Sequence, residues 1–446
     1  MLQTMRNAWK MDDLRGKILF SLFILLLYRI GAQIPVPFLT PDLATQMNQA
    51  TQGSILEYLN ILSGGAFAQA TLFALGVSPY ITSSIVIQLL AVAIPALERL
   101  SKEGEEGKKK LNQLTRIVTV ALALLTAIGY YFMLDTGAGQ GAQYSYIQAA
   151  GLPKVFVAIV IIACYCAGSS LVMWLAEKIN ESGIGNGISL ILFINIISRG
   201  PAIVGQLLNL ITGKTAGIAH WVGIVLAVAS VIIGIAMLIL IVFINDSERR
   251  IPIQYAKKVV GRKMYGGQNS TLPIKLNNTG VMPIIFASSI VSLPATIGMF
   301  FPKKNAFWTG FFNLFGTDSW LYAVLTLVLI VAFAYFYILI SFNPVEVSNN
   351  LKRNGGSIPG IRPGKPTVDF ITKSLNRITL IGAFFLSAIA IIPFILNALF
   401  LALGWQSIGA MAFGGTSLLI VVGVALETVR EIEAQITMRH YKGFLG

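Results

Sequence analysis

Chemistry-bearing side chains are scarce in this chain of 446 residues, which has only two histidines and two cysteines. Cys164 and Cys166 lie two apart within an apolar run, so on a helix they point to different sides and read as small packing residues. His220 and His440 fall on opposite sides of the membrane inferred below and cannot share a metal ion. Charged residues make up 12% of the chain, against about 25% in a soluble domain. The 19 Asp and Glu all fall in loops or tails, apart from Glu427 at the inner end of the last apolar run. Ion-coupled transporters and proton pumps hold carboxylates in mid-membrane. A secondary transporter, the competing reading for such a chain, therefore lacks its usual machinery. There is no H-E-x-x-H, no phosphate-binding loop and no histidine positioned to activate a serine. The chain reads as catalysing nothing itself and as needing no cofactor.

Apolar surface, by contrast, is abundant. Hydrophobic residues reach 55% and mean hydropathy is +0.74, so lipid is the solvent for most of the chain. Runs near 20 residues select helices over the alternating, roughly ten-residue strands of a barrel. Ten candidate spans follow: Ile18–Ile34, Leu72–Leu97, Ile117–Leu134, Val155–Leu175, Ile188–Leu208, Trp221–Ile244, Val281–Phe301, Leu321–Ile340, Ile378–Leu396 and Phe413–Leu426. Arg199, Gly200 and Pro201 interrupt the fifth. The first run is read as an anchor rather than a removable signal, because Arg29 breaks it and ordinary spans follow. With both termini inside, the outer loops hold only Lys154, Arg199, Lys214, Lys303 and Lys304. Apart from Arg29 within span one, all other Lys and Arg fall on the inner side, which fixes the expected orientation.

Three segments are neither ordinary spans nor ordinary loops. Ser54–Leu62 (SILEYLNIL) is a short amphipathic helix on the outer side, ended by Ser63-Gly64-Gly65. It is too short to cross; it either dips into a protein-lined cavity or caps the outer surface. The inner loop Asp246–Lys275 carries Arg249, Arg250, Lys257, Lys258, Arg262, Lys263 and Lys275. The inner loop Ser341–Arg377 contains NNLKRNGGSIPGIRPGKPT, whose Gly and Pro residues set turns and leave Arg362 on a stiff, exposed tip. Basic surfaces of this kind attract nucleic-acid phosphates, acidic protein patches or anionic lipid.

Five stretches carry a resemblance that runs nearly end to end. Tyr58–Leu90 (with LSGGAFAQATLFALGVSPYITSSIVIQLL), MWLAEKINESGIGNGIS (Met173–Ser189), YAKKVVGRK (Tyr255–Lys263), IPGIRPGKPT (Ile358–Thr367) and FGGTSLLIVV (Phe413–Val422) resemble the SecY/Sec61-alpha family, channel-forming subunits of the protein-export translocon. The resemblance implies an all-α integral membrane fold, with ten transmembrane helices in two pseudo-symmetric five-helix halves around an hourglass pore. The implied divisions are an inner N-terminal segment (1–17), a first half (18–211), a second half (212–426) and an inner tail (427–446). The site is a bacterial plasma membrane, with both termini cytoplasmic.

The family's functional residues carry over onto the matching motifs. The resemblance makes 54–70 a plug, with Leu59, Leu62, Ser63, Gly64 and Gly65 at its centre. It implies a pore ring of Val77, Ile81, Ile188, Leu192, Ile285 and Ile420; Val77 and Leu192 depart mildly from a ring that is mostly isoleucine. A narrow aliphatic ring excludes ions by dewetting yet offers an unfolded chain nothing to grip. A lateral gate is implied between spans two, three, seven and eight, with Thr82, Ser83 and Gln88 facing Ser288, Ser289, Ser292 and Leu293. Contacts between such polar side chains are worth only about 0.6 kcal/mol each, so a seam made of them could close and reopen. Lys257, Lys258, Arg262, Lys263 and Arg362 match positions that engage the SecA motor ATPase, or the ribosome and its RNA. SecE and SecG-type subunits, signal peptides, unfolded preproteins and membrane lipid complete the implied partners.

Overall fold

The computed structural model describes residues 6, 8–41, 43–51, 55–137, 145–148, 151–213, 220–255, 258–260, 263–265, 269–277, 279–298, 310–311, 314, 319–402 and 415–442. Its membrane part is helical. α1 (Asp12–Gly31) is followed by the short helices α2 (Leu43–Thr51) and α3 (Ile55–Leu62). Then come α4 (Ser78–Ala93), α5 (Pro95–Lys102), α6 (Glu105–Asp135), α7 (Lys154–Ser182), α8 (Gly187–Ser198), α9 (Gly200–Ile211) and α10 (His220–Asp246). After a β-hairpin region the chain continues with α11 (Met282–Val291), α12 (Leu293–Gly298), α13 (Trp320–Ser341), α14 (Pro344–Arg353), α15 (Lys365–Ala402) and α16 (Gly415–Lys442).

Among the described residues six helical segments, or seven if the bent pair α4–α5 is one span, are long and apolar enough to cross a bilayer. They correspond to spans two to six, eight and nine of the ten expected. The other three coincide with α1, α11–α12 and α16, and each fails a simple length-and-charge test for a local reason. α1 carries Asp12, Asp13, Arg15, Lys17 and Arg29. α11–α12 is described only over Met282–Gly298, too short a stretch for the test. α16 continues past its apolar start into a charged tail that includes Glu427, Arg430, Glu431 and Glu433. Only 28% of the most apolar stretch of α10 is buried. Phe243 and Ile239 on it are 71% and 65% exposed, as expected of side chains that face lipid tails.

Proline and asparagine set the ends that matter. Pro79 opens α4 in its first turn, where a missing N–H costs nothing. Pro95 forces Ile94 into extended backbone (φ −106°, ψ 116°), and the chain turns through 102° into α5. Asn186 caps α8, its side chain accepting from Ile188 N at 3.1 Å, while Asn180 Oδ1 accepts from Gly187 N at 2.7 Å.

Two large apolar clusters organise the membrane part. One joins α1, α4, α7, α8, α10, α11, α13, α15 and α16 around Tyr28, Ile81, Leu192, Ile285 and Ile420. The other gathers Met47, Leu59, Phe67, Tyr130 and Tyr165 around α3 and the segment that follows it.

The two basic inner loops are less simple than Gly-Pro turns. β1 (Glu248–Tyr255) pairs antiparallel with β4 (Asn269–Lys275), from Glu248 opposite Lys275 to Gln254 opposite Asn269. Between them β2 (Lys258–Val260) and β3 (Lys263–Tyr265) form a small hairpin. From the second loop, β5 (Gly356–Ser357) joins the free edge of β1, with Gly356 opposite Tyr255. The helical reading of the chain thus needs one amendment: a three-stranded sheet, order β4-β1-β5, fastens the two loops together. The alternation Arg250-Ile251-Pro252-Ile253-Gln254 supplies it. Ile251 and Ile253 face a core shared with Ile338, Leu351, Ile358 and Ile371, while their neighbours face water.

Candidate functional site: an aliphatic constriction beneath a re-entrant helix

The six residues assigned to the ring arrive from four helices or their edges. Val77 immediately precedes α4 and Ile81 lies in its first turn; Ile188 and Leu192 sit four apart on α8; Ile285 is on α11 and Ile420 on α16. All six belong to one apolar cluster, with Ile188 the partly buried member. Leu62 of α3 and Ala66 just beyond it belong to the same cluster. The short outer helix is therefore packed onto the aliphatic group rather than lying on the surface as a cap.

Hydrogen bonds fix that helix and its exit turn. Ser63 Oγ donates to Asn60 O (3.2 Å) and accepts from Phe67 N (3.0 Å). Asn60 Oδ1 accepts from Ala68 N at 3.1 Å, so 60–68 is strapped to itself. Tyr130 on α6 donates to Phe67 O at 2.5 Å, and Tyr165 on α7 donates to Ala70 O at 3.2 Å. Ala70 holds φ at +46°, a left-handed conformation that costs an L-residue about 1–2 kcal/mol and persists because its carbonyl is bound. On the other side Asn195 of α8 donates to Leu62 O (2.7 Å) and to Tyr28 Oη (2.8 Å). Gly64 has φ +67°, and a Cβ there would stand 2.9 Å from Asn195 Oδ1 and 3.1 Å from Arg29 Nη1. Both conformation and space demand glycine. A cavity of about 30 Å³, lined by Leu59, Phe67, Ser78, Pro79, Thr126 and Thr296, lies where this unit meets α4, α6 and α12.

The predicted gate residues flank the same group, and their chemistry differs from a seam of cross-helix hydroxyls. Ser288 donates to Ile284 O, Ser289 to Ile285 O and Ser292 to Ser289 O, each at 2.7 Å within α11. Thr82 bonds Ser78 O at 3.0 Å in α4. In apolar surroundings the nearest acceptor for such a hydroxyl is the carbonyl three or four residues back, so these side chains return to their own helices. The polar links between helices come from two other residues of the predicted gate, Ser83 and Gln88. Ser83 donates across to Thr115 O on α6 at 2.7 Å. Gln88 Oε1 accepts from Tyr337 of α13 at 2.9 Å, while its Nε2 donates to Ser84 Oγ at 3.1 Å. Tyr337 stacks obliquely on Phe286, with centroids 5.2 Å apart. Leu293, half-buried, opens α12.

Of the basic positions, Lys257 and Arg262 lie outside the described residues. The backbones of Lys258 and Lys263 lie on β2 and β3. Arg362 is exposed, on a tip held by Thr367 Oγ1 donating to Arg362 O (2.9 Å) and Ser348 Oγ donating to Gly364 O (3.2 Å). At the foot of the sheet, burial and the neighbouring Arg430 hold the Lys275 ammonium below its ordinary pKa. Arg430 itself pairs with Asp246 at 2.6 Å, tying the tail to α10.

Tyr28, Asn195, Tyr130, Tyr165 and Tyr337 were not singled out by the sequence reading. Asn195, alone among polar residues in ILFINII, was the one with a readable signal, since an amide in an apolar span needs a partner. The tyrosines gave none, because an aromatic ring in a membrane helix is ordinary packing.

Comparison with known proteins agrees with this architecture. The SecY family model matches residues 71–429. The chain is 43% identical over 455 residues to the protein translocase subunit SecY of Streptomyces coelicolor, and 40% identical over 458 residues to that of Mycobacterium bovis. In both cases all of each chain is covered. Among solved structures, one described as a protein conducting channel aligns with a TM-score of 0.62 at 18% identity, covering 94% of this chain and 92% of the other. Sec61 in a canine ribosome-channel complex from the endoplasmic reticulum aligns at 0.63 and 18%, with the same coverage.

Proposed function

The chain belongs to the SecY family of translocase channel subunits, and from that premise we propose that Val77, Ile81, Ile188, Leu192, Ile285 and Ile420 form the constriction of its pore. Members of this family are protein-conducting, non-enzymatic membrane subunits of the Sec translocase. The observation that carries the residue assignment is that all six share one apolar cluster with Leu62 of the short helix 55–62. An aliphatic collar seals against ions without binding a passing polypeptide, and the helix 55–62 stops it from the outer side.

The division of labour follows. Residues 18–211 and 212–426 act as two halves, flanked by inner segments 1–17 and 427–446, with both termini cytoplasmic. Unfolded secretory chains pass between the halves, and signal peptides or membrane helices leave sideways into lipid where α4 meets α11 and α13. The sheet-joined basic loops, including Lys257, Lys258, Arg262, Lys263 and Arg362, engage a SecA-type motor or the ribosome and its RNA. That reading is supported by their charge and by ribosome-bound structural relatives. SecE and SecG-type subunits complete the channel. Partner binding shifts the population towards the open form by favouring it over the closed one.

A secretory chain stalled in transit should crosslink to photoprobes at Ile81 and Ile285 and not to probes on the lipid face, such as at Ile239. Crosslinks absent from both ring positions in an assembled, translocating complex would refute the assignment. Deleting Ser54–Ala70 should raise ion leak through reconstituted channels.

A further inference from the structure

We propose that Asn195 is a positioning residue that latches the re-entrant helix to the constriction, and that the backbone of an entering chain releases it by exchanging one carbonyl for another. The proposal rests on reading 55–62 as the plug.

The geometry is specific. Asn195 lies three residues beyond Leu192 and seven beyond Ile188, on the same face of α8 as both ring residues. Its side chain is wholly buried. One amide hydrogen goes to Tyr28 Oη and the other to Leu62 O. Leu62 ends α3, so its carbonyl is one of those a helix leaves unpaired at its C-terminus. Asn195 thus caps the plug helix from the pore wall. The amide oxygen, turned towards Gly64, has no hydrogen-bond partner among the described residues.

This placement makes the latch selective. The plug unit is strapped internally through Asn60 and Ser63, so it can leave as one body once its outside ties yield. If it leaves an idle pore, Asn195 exchanges a fixed acceptor for water at best, a net loss that opposes spontaneous opening. If an extended polypeptide occupies the ring, a peptide unit one turn beyond Leu192 offers the amide both things it needs: a carbonyl for Nδ2 and an N–H for Oδ1. The number of hydrogen bonds is then conserved or increased, and the apolar ring below offers none to compete. The latch holds against an idle channel and gives way to a loaded one.

The test is single-channel recording of the full-length chain in planar bilayers, comparing the parent with N195A, Y28F, a deletion of Ile55–Leu62, and N195A within that deletion. Losing a buried hydrogen bond and stranding its acceptor should raise the resting open probability about tenfold in N195A. In Y28F, Asn195 keeps its Leu62 bond, and the change should stay below about threefold. Within the plug deletion, N195A should add nothing, because the group it holds is gone. A resting open probability in N195A within twofold of the parent, while the plug deletion leaks, overturns the latch and leaves the plug reading standing. An equal N195A effect with and without the plug also overturns it, by assigning the change to the wall. A plug deletion that leaks no more than the parent refutes the plug reading itself. Purified N195A should still unfold in a single cooperative transition; a collapse in stability together with leak in the plug-deleted background counts against the proposal.

Discussion

Replacing Tyr337 by Phe removes one oxygen from the seam between α4 and α13 and leaves the rest of the contact in place. The hydroxyl donates to Gln88 Oε1 at 2.9 Å, while the ring keeps its packing on Phe286 (5.2 Å) and Phe336 (6.3 Å). Hydrogen bonds between membrane helices average about 0.6 kcal/mol, with a maximum near 1.7. Since 0.6 kcal/mol is about one RT, the closed-to-open ratio should fall about threefold, and by at most about twentyfold. Gln88 retains its bond to Ser84, which favours the lower figure. Export of a reporter with a weakened signal sequence measures this, because its rate scales with the open fraction, whereas a strong signal already saturates opening. Y337F should raise weak-signal export about threefold and leave strong-signal export unchanged. Q88A should do the same, and Q88A/Y337F should exceed neither single variant by much, since both remove one shared interaction. Additive effects, or equal gains for strong and weak signals, would show that the bond does not hold the seam.

Gly64→Ala should loosen the closed plug. The left-handed backbone (φ +67°) and the 2.9 Å approach to Asn195 Oδ1 cost about 1–2 kcal/mol, so ion conductance of the idle reconstituted channel should rise about tenfold without loss of membrane insertion. Arg362→Glu alters an exposed tip whose fold rests on backbone carbonyls. Motor or ribosome binding should weaken several-fold with a shallower salt dependence, while thermal stability stays within about 0.5 kcal/mol of the parent.

How much was legible beforehand depended on whether local pattern or distant partners decided the structure. The spans were readable because lipid tolerates little but helix, and the basic loops because charge sets topology. The turn at Ser63-Gly64-Gly65 was also local, whereas span two was read straight through Ile94-Pro95, where the chain bends by 102°. The sheet was not anticipated, because its decisive pairing joins Tyr255 to Gly356 across about a hundred residues, and no periodicity reports a two-residue strand. The gate serines illustrate the converse: Ser288, Ser289 and Ser292 were in plain view, but a hydroxyl does not declare whether it bonds outward or to its own helix. The contacts that fasten the segment 62–70, from Asn195, Tyr130 and Tyr165, link positions 63 to 133 residues apart. Only the folded chain brings them together.

Consecutive residues of α13 belong to two different machines. Tyr337 reaches across to Gln88 at the seam, while Ile338 is buried in the core beneath the three-stranded sheet, with Ile251, Ile253 and Ile371. β5 splices the second basic loop onto the first, so force applied to either one bears on the same hydrophobic footing at the base of α13 and α15. A docked motor would thus work a crank whose handle is the sheet and whose shaft is α13, and the first bond the shaft turns against is the one between Tyr337 and Gln88, at the proposed exit to lipid.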